Sequence, residues 1–294
     1  MENRLLKYFL VVAQEENITR ASEILHVSQP ALSKQLMQLE DELGAKLFIR
    51  GKRSLTLTEE GRFLRQRAQE IVDLTEKTER DFKDGIVSFN GVISIGMGES
   101  AASDWLADKI SEFSAVYPNV KFDFYSATAD SVKTRIEKGL LDMGILIGPT
   151  GDLSKYNQIT LPVTDRWGVL VSICNEISEK QFVTAEDLKY EKMFLPKRAL
   201  NQTDISAWFG DCYSDKNVVG TYNLLKNAAM LVKKNLGVAL AIDGATLIYD
   251  SQSVVWIPLK PEIELKSVLV WKKYKDASPS ATKFLEFIDH SVKL

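Results

Sequence analysis

The stretch Thr19-Arg20-Ala21-Ser22-Glu23-Ile24-Leu25-His26-Val27-Ser28-Gln29-Pro30-Ala31-Leu32-Ser33-Lys34-Gln35-Leu36 decides the reading of this chain. It continues through Leu39-Glu40, Leu43-Gly44, Leu47-Phe48-Ile49-Arg50 and Arg53 to Leu55-Thr56-Leu57. Two short helical patterns sit back to back across a tight turn, and a basic hairpin-like stretch follows. Thr19 is placed to cap the first helix, with Ile24 and Leu25 on its buried side and His26 at its end. Ser28 suits the N-cap of the second helix, because its hydroxyl can accept from an orphan amide. Pro30 falls in the first turn, where a missing N–H costs nothing. Leu32, Leu36, Leu39 and Leu43 recur at four, three and four residues and predict one packed face, closed by Gly44 as the C′ residue. The opposite face presents Gln29, Ser33, Lys34 and Gln38, donors and acceptors of the kind that read bases or grip phosphates. A helix with such an exposed first turn can enter the DNA major groove. An amphipathic helical hairpin with a solvated polar face would show the same spacing, so spacing alone leaves both readings open.

Longer series of spaced residues favour the first. Leu6-x-Tyr8-Phe9-x-x-Val12-Ala13, Ser28-Gln29-Pro30-Ala31-Leu32-Ser33-x-Gln35, Leu39-Glu40-x-x-Leu43-Gly44-x-x-Leu47-Phe48-x-Arg50 and Leu57-Thr58-x-x-Gly61 closely resemble the LysR-type transcriptional regulators. The match runs from about residue 4 to residue 65. Ala21-Ser22 stands where the family usually has two alanines. Lys34 stands where it often has arginine, which keeps the charge and loses the bidentate fork. The resemblance implies a winged helix-turn-helix over residues 1–58, a dimerising linker helix over 59–88 and an effector-binding domain over 89–294. That last domain is expected to be α/β and two-lobed, like a type 2 periplasmic binding protein. Its first lobe takes in about 89–161 and 267–294, and its second about 162–266. Expected partners are a promoter dyad in double-stranded DNA, a small-molecule effector (an amino acid or organic acid) and further copies of the chain as a homodimer or homotetramer. RNA polymerase is a further candidate partner. No cofactor, metal or catalytic role is expected.

Within the groove-entering helix, Gln29 is the candidate for base readout, since its amide can pair bidentately with adenine. Ser28, Ser33 and Lys34 are expected on phosphates, with Thr19, Pro30 and Gln38 on the same surface. Arg53, at the wing, is placed to enter a narrow A·T-rich minor groove.

Composition agrees. The chain has 294 residues, 45% of them apolar, and a net charge of −3, so it is no uniformly basic nucleic-acid coat. Its positive charge is local: Lys46, Arg50, Lys52, Arg53, Arg62, Arg65 and Arg67 face only Glu59 and Glu60 between residues 46 and 67. A basic footprint on a mildly acidic protein suits a DNA-binding head joined to a sensing domain. Cys174 and Cys212 are too few for a disulfide framework and suit a reducing cytosol. His26 and His290 are the only histidines, which disfavours a His-based metal site. Met1-Glu2-Asn3-Arg4 lacks the apolar core of a signal peptide, and no run is apolar enough to span a bilayer. A cytoplasmic location is expected.

The linker helix should start at Thr58, with Glu59 and Glu60 at its positive end, and stop at Gly85. Leu64, Ala68, Ile71, Thr75, Thr78 and Phe82 form a narrow seam of coiled-coil type. From Gly91 onward strands alternate with helices, predicting a mostly parallel sheet covered on both faces. The chain should leave the first lobe near Leu161-Pro162-Val163 and return near Leu265-Lys266-Ser267. Effector candidates sit at strand-to-helix junctions facing the cleft: Ser100, Thr128, Ile147 and Gly148 from one lobe, and Gln202, Thr203, Thr221 and Asn223 from the other. Each hydroxyl could instead cap only its own helix. Ser100 and Thr128 also match positions that the family commonly uses. Glu99, beside Ser100, would repel an anion unless it turns away or finds a cation, which suggests an effector carrying both a carboxylate and an ammonium; a dicarboxylate is the competing idea. Gly96-x-Gly98-x-x-Ala101 is a weak dinucleotide fingerprint that the same glutamate spoils, and close strand–helix packing explains those glycines better. An NAD-dependent oxidoreductase and a ligand-free DNA-architectural protein are the competing function classes.

Overall fold

The structure is a computed structural model that describes residues 2–50, 55–83, 91–197, 203–249, 252–273 and 277–293. Chain contacts divide it into two units, Met1–Lys83 and Asp84–Leu294.

The N-terminal unit runs α1 (Asn3–Glu15), α2 (Ile18–Ile24), α3 (Gln29–Leu43), β1 (Phe48–Arg50), β2 (Leu55–Leu57) and α4 (Glu59–Lys83), with β1 and β2 antiparallel. Asn17, not Thr19, caps α2: its side chain accepts from the amides of Thr19 and Arg20 at 2.9 and 3.1 Å. Thr19 is thus inside the helix, and the buried side of α2 is Ala21 and Ser22 while Ile24 is exposed. Small residues win there because α2 packs close to α1 and α3. Leu32, Leu36 and Leu39 are buried as the spacing predicts, but Leu43 is exposed in the last turn before Gly44, which takes the left-handed cap at φ +65°.

Thr58 caps α4, its hydroxyl accepting from the Gly61 amide and donating to the Lys46 carbonyl. Gly61 is required here, since a Cβ would lie 2.2 Å from the Leu47 carbonyl oxygen. The expected seam of α4 is split. Leu64 and Ala68, with Val72, are buried in the unit's own core against Leu5, Leu6 and Phe9 of α1. Ile71 is exposed, as are Phe63 and Leu74, on another face of the helix. The hydroxyls of Thr75 and Thr78 donate to the carbonyls of Ile71 and Leu74, which satisfies them on a solvent-facing helix. Gly85 and the side chain of Phe82 lie outside the described residues.

The C-terminal unit begins with β3 (Gly91–Met97), α5 (Ala101–Val116), β4 (Val120–Ser126), α6 (Ala129–Glu137) and β5 (Met143–Ile147). Then come β6 (Tyr156–Ser172), α7 (Ala185–Leu188), β7 (Met193–Pro196), α8 (Thr203–Phe209), β8 (Val218–Tyr222), α9 (Leu225–Lys233) and β9 (Val238–Ile242). The chain finishes with β10 (Val254–Pro258), β11 (Glu264–Lys272) and α10 (Pro279–Lys293). Among the described residues nine strands join in the order β4-β3-β5-β11-β6-β9-β7-β8, with β10 also on β6. The pairs β3–β4, β3–β5, β7–β8 and β7–β9 are parallel, as alternating strands and helices predict. The strands that cross between lobes, β6 and β11, are antiparallel.

At 17 residues β6 is long enough, about 55 Å, to belong to both lobes. Its first half alternates between buried and exposed residues, while Trp167–Ser172 is buried throughout. Exposed Pro162 cannot donate to the ladder, and the β11 register shifts between Lys266 and Val268 opposite it. Ile93, Ile95, Leu106, Phe113, Phe284 and Ile288 form the core of the first lobe, and Val169, Leu195, Val232, Leu240 and Leu259 belong to that of the second. Gly96 and Gly144 let α6 lie close on the sheet: a Cβ on either would meet Val132 at 2.8 or 2.3 Å. Close packing accounts for Gly96 of the Gly96-x-Gly98 pattern, whereas Gly98 has room for a side chain and lines the cleft between the lobes. No helix among the described residues is long and apolar enough to cross a membrane.

Candidate DNA-reading helix and effector cleft

Helix α3 presents an exposed polar face on its first turns because Ser28 and Pro30 start it cleanly and the leucines hold the other side down. The Ser28 hydroxyl accepts from the Ala31 amide over a long 3.4 Å. Ser28, Gln29, Pro30, Lys34 and Gln38 are exposed and Ser33 is half-buried. Gln29 donates to the Ser33 hydroxyl at 3.2 Å, and Gln38 donates to Glu42 at 3.1 Å. Both amides are thus in loose surface bonds that a base edge can replace. Thr19 is exposed. Arg53 lies outside the described residues.

What fixes the wing to this helix is a buried acid that sequence reading left unused. Glu40 is 7% exposed, and its carboxylate accepts from the Leu47 amide at 2.8 Å, the Phe48 amide at 3.4 Å and the Lys46 ammonium at 2.7 Å. Burial raises its pKa, but the bonds from Lys46 and from the Leu47 and Phe48 amides outweigh that and hold it below the usual glutamate value.

In the second unit a cleft of about 460 Å³ lies between the lobes. Ile145, Ile147, Trp167, Leu225, Ile242 and Leu265 supply apolar walls. The polar lining is Thr128, Asp130 and Ser131 at the start of α6, Glu99, Lys197, Tyr222 and Asn223. Thr128 leaves the amides of α6 uncapped by its own side chain, its hydroxyl lying 3.3 Å from that of Ser131. Trp167 is 6% exposed and its indole N–H has no partner among the described residues.

Residues 3–62 match the family described as "Bacterial regulatory helix-turn-helix protein, lysR family", and residues 88–293 match the "LysR substrate binding domain". The chain belongs to the LysR family of transcriptional regulators. It is a DNA-binding regulator with an effector-binding domain. Among relatives of this LysR-type chain, the Hca operon transcriptional activator HcaR of Escherichia coli (strain K12) is 27% identical over 98% of this chain and 97% of that one. The regulator BsdA of Bacillus subtilis (strain 168) is 34% identical over 49% of this chain and 50% of its own length. The solved structure of CbnR, a LysR family transcriptional regulator, shares the fold at a TM-score of 0.81 and 18% identity, covering 100% of both chains.

Four of the candidate effector residues of this LysR-type chain line the cleft: Thr128, Ile147, Gly148 and Asn223. Ser100 does not. It is 3% exposed, with its hydroxyl beside that of Ser103, and the start of α5 is capped instead by Asp165 of β6, which accepts from the Ala101 amide at 2.9 Å. Thr221 also points elsewhere: strand alternation turns its neighbour Tyr222 into the cleft and leaves Thr221 exposed. Gln202 lies outside the described residues, as does the side chain of Thr203, which opens α8. Sequence reading missed Ser131, Trp167, Lys197, Tyr222 and Leu265. For Ser131 the signal was present, because a hydroxyl three residues after Thr128 falls in the same first turn. The others come from β6, the turn after β7, β8 and β11 and have no shared spacing.

Proposed function

We propose that this regulator reads a dyad-symmetric DNA site as a cytoplasmic homodimer or homotetramer without catalytic activity. Its effector is a small organic acid whose carboxylate sits at the start of α6 and whose apolar body fills the cleft. The first turn of α6, where Thr128 makes no side-chain cap bond and Ser131 stands beside it, with an apolar wall opposite, is the observation that carries the effector reading, and Asp130 in that turn is the like charge an acid must avoid. An amino-acid effector is disfavoured, because an α-ammonium lies beside the carboxylate, at the α6 end of such a ligand, whereas the Glu99 charge stands on another wall of the cleft at the start of α9. Calorimetric titration of the full-length protein with hexanoate and with norleucine, which adds an ammonium to the same carbon chain, tests this. Hexanoate is expected to bind at least tenfold more tightly; the reverse order would restore the amino acid.

On the DNA side, CbnR has been solved with its target DNA, and the exposed, loosely paired Gln29 supports base readout by this chain's α3. Gln29→Ala is expected to cost about 1–3 kcal/mol at the cognate site and to spare binding to random DNA. Lys34→Ala should instead weaken both and make the salt dependence shallower. Quantitative footprinting on the DNA flanking the chain's own gene, at two salt concentrations, measures all of these. Equal losses on cognate and random DNA for Gln29→Ala would remove it from base readout. RNA polymerase remains the candidate partner for the bound complex.

A further inference from the structure

The loop after β3 sends Glu99 from the first lobe to the second. Its carboxylate accepts from the Leu225 amide at 2.5 Å and from the Lys226 amide. These are the first two residues of α9, whose N-cap Leu224 makes no side-chain cap bond. Helix starts leave amides without intrahelical acceptors and concentrate positive potential there. Here that potential is met by an acid 126 residues away in sequence.

The position is inside the cleft, since Glu99, Asn223, Leu224 and Leu225 all line it. Burial pushes the Glu99 carboxyl up, against the two amides and the Lys226 charge that hold it down. The hydroxyls of Tyr222 and Tyr249 are pushed up as well, first by burial and then by the charge of Glu99. Tyr222 spends its hydroxyl on the Leu240 carbonyl, and that of Tyr249 has no partner among the described residues. Glu99 is therefore a partly desolvated anion on one wall of the cleft, with α6 on another.

We propose that Glu99 is a specificity-determining residue, a built-in anion that fills the start of α9 so that the cleft takes acids with one carboxylate and an uncharged tail and rejects dicarboxylates. This rests on the reading of the cleft as an acid site. An effector anchored at α6 extends toward the wall formed by Asn223, Leu224 and Leu225. A second carboxylate arriving there finds the α9 amides taken and meets the like charge of half-buried Glu99, which water screens less than an exposed one. An uncharged methyl end meets neither penalty.

The test uses full-length protein titrated calorimetrically with hexanoate and adipate, which share six carbons and differ in the second carboxylate. Wild type is expected to bind hexanoate and to bind adipate at least tenfold more weakly. Glu99→Ala should raise the affinity for adipate relative to that for hexanoate at least tenfold. Glu99→Gln keeps an acceptor on α9 without the charge, so its gain for adipate should be the smaller. Glu99→Ser replaces the alanine variant if thermal unfolding shows that the latter fails to fold. An unchanged affinity for adipate relative to hexanoate in the alanine or serine variant overturns the proposal while hexanoate binding leaves the acid reading standing. Equal gains in the alanine and glutamine variants would also support the proposal, with the rejection carried by the Glu99 charge alone. Failure of every form to bind either acid defeats the acid reading itself, and the proposal with it.

Discussion

Glu40→Ala is expected to loosen the wing from α3 and to cost the N-terminal unit about 1.5–3 kcal/mol, the range for losing a hydrogen bond to a charged group. The Leu47 amide is buried and its acceptor is Glu40 at 2.8 Å, so truncation leaves a donor without a partner. The ion pair with Lys46 contributes little to this figure, because the lysine side chain is 71% exposed. Glu40→Gln keeps an acceptor for Leu47 and should cost less. The acid dependence separates the two variants from wild type. Glu40 titrates below its ordinary value in the folded protein, so its stabilising contribution is complete above about pH 4.5 and is lost as the pH falls through the lowered pKa. Hydrogen exchange of the full-length protein, read over residues 40–60, measures this locally. Protection at Leu47 and Phe48 that survives in Glu40→Ala would show that the carboxylate does not hold the wing. DNA affinity should fall with protection, since the wing is presented by the same strands.

The two helical patterns and the apolar face of α3 were legible because one periodicity served one purpose. Leu32, Leu36 and Leu39 are spaced for a helix and are buried. The α4 seam misled for the opposite reason. Its apolar residues serve two faces: Leu64, Ala68 and Val72 pack on α1, and Phe63, Ile71 and Leu74 are exposed. A single repeat drawn through both sets mixes them. Caps were misread where a better acceptor stood one or two residues away, as Asn17 does before Thr19. The crossing between lobes was visible at Leu161-Pro162-Val163, but its strands were not seen as one long ladder, because the pairing partners of β6 and β11 lie about a hundred residues apart. Acids that bond to backbone amides outside their own element were the least legible. Glu40, Glu99 and Asp165 each end on backbone amides of another element, and no local spacing announces such a bond.

Asp165→Asn is expected to remove a pH dependence of stability where the lobes join, so that the stability order of variant and wild type reverses between acid and neutral pH. Asp165 is fully buried on β6, with one carboxylate oxygen accepting from the Ala101 amide at 2.9 Å and the Gly244 amide beside it. Its other oxygen has no partner among the described residues. Gly244 has no room for a side chain: a Cβ would lie 1.9 Å from the Ala101 nitrogen and 2.3 Å from the Asp165 carboxylate. Burial above all, with the charge of Asp243 added, pushes the Asp165 carboxyl up to about 6, against the pull of the two amides. A carboxyl raised on folding binds its proton more tightly in the native state. Stability therefore falls as the pH rises from about 4 to about 6, by up to about 3 kcal/mol, and the full penalty stands above that window. Asparagine keeps the acceptor for Ala101 and cannot ionise, though it buries an amide donor where an oxygen had no partner. The variant should thus be less stable than wild type at pH 4.5 and as stable or more stable at pH 7.5. Urea unfolding of both proteins at the two values gives the answer as a difference of differences, which cancels the contributions of Glu40 and Glu99. Parallel pH profiles would mean that the Asp165 carboxyl titrates as an ordinary exposed acid, and that the junction between β6, α5 and the Asp243–Thr246 turn carries no strained charge.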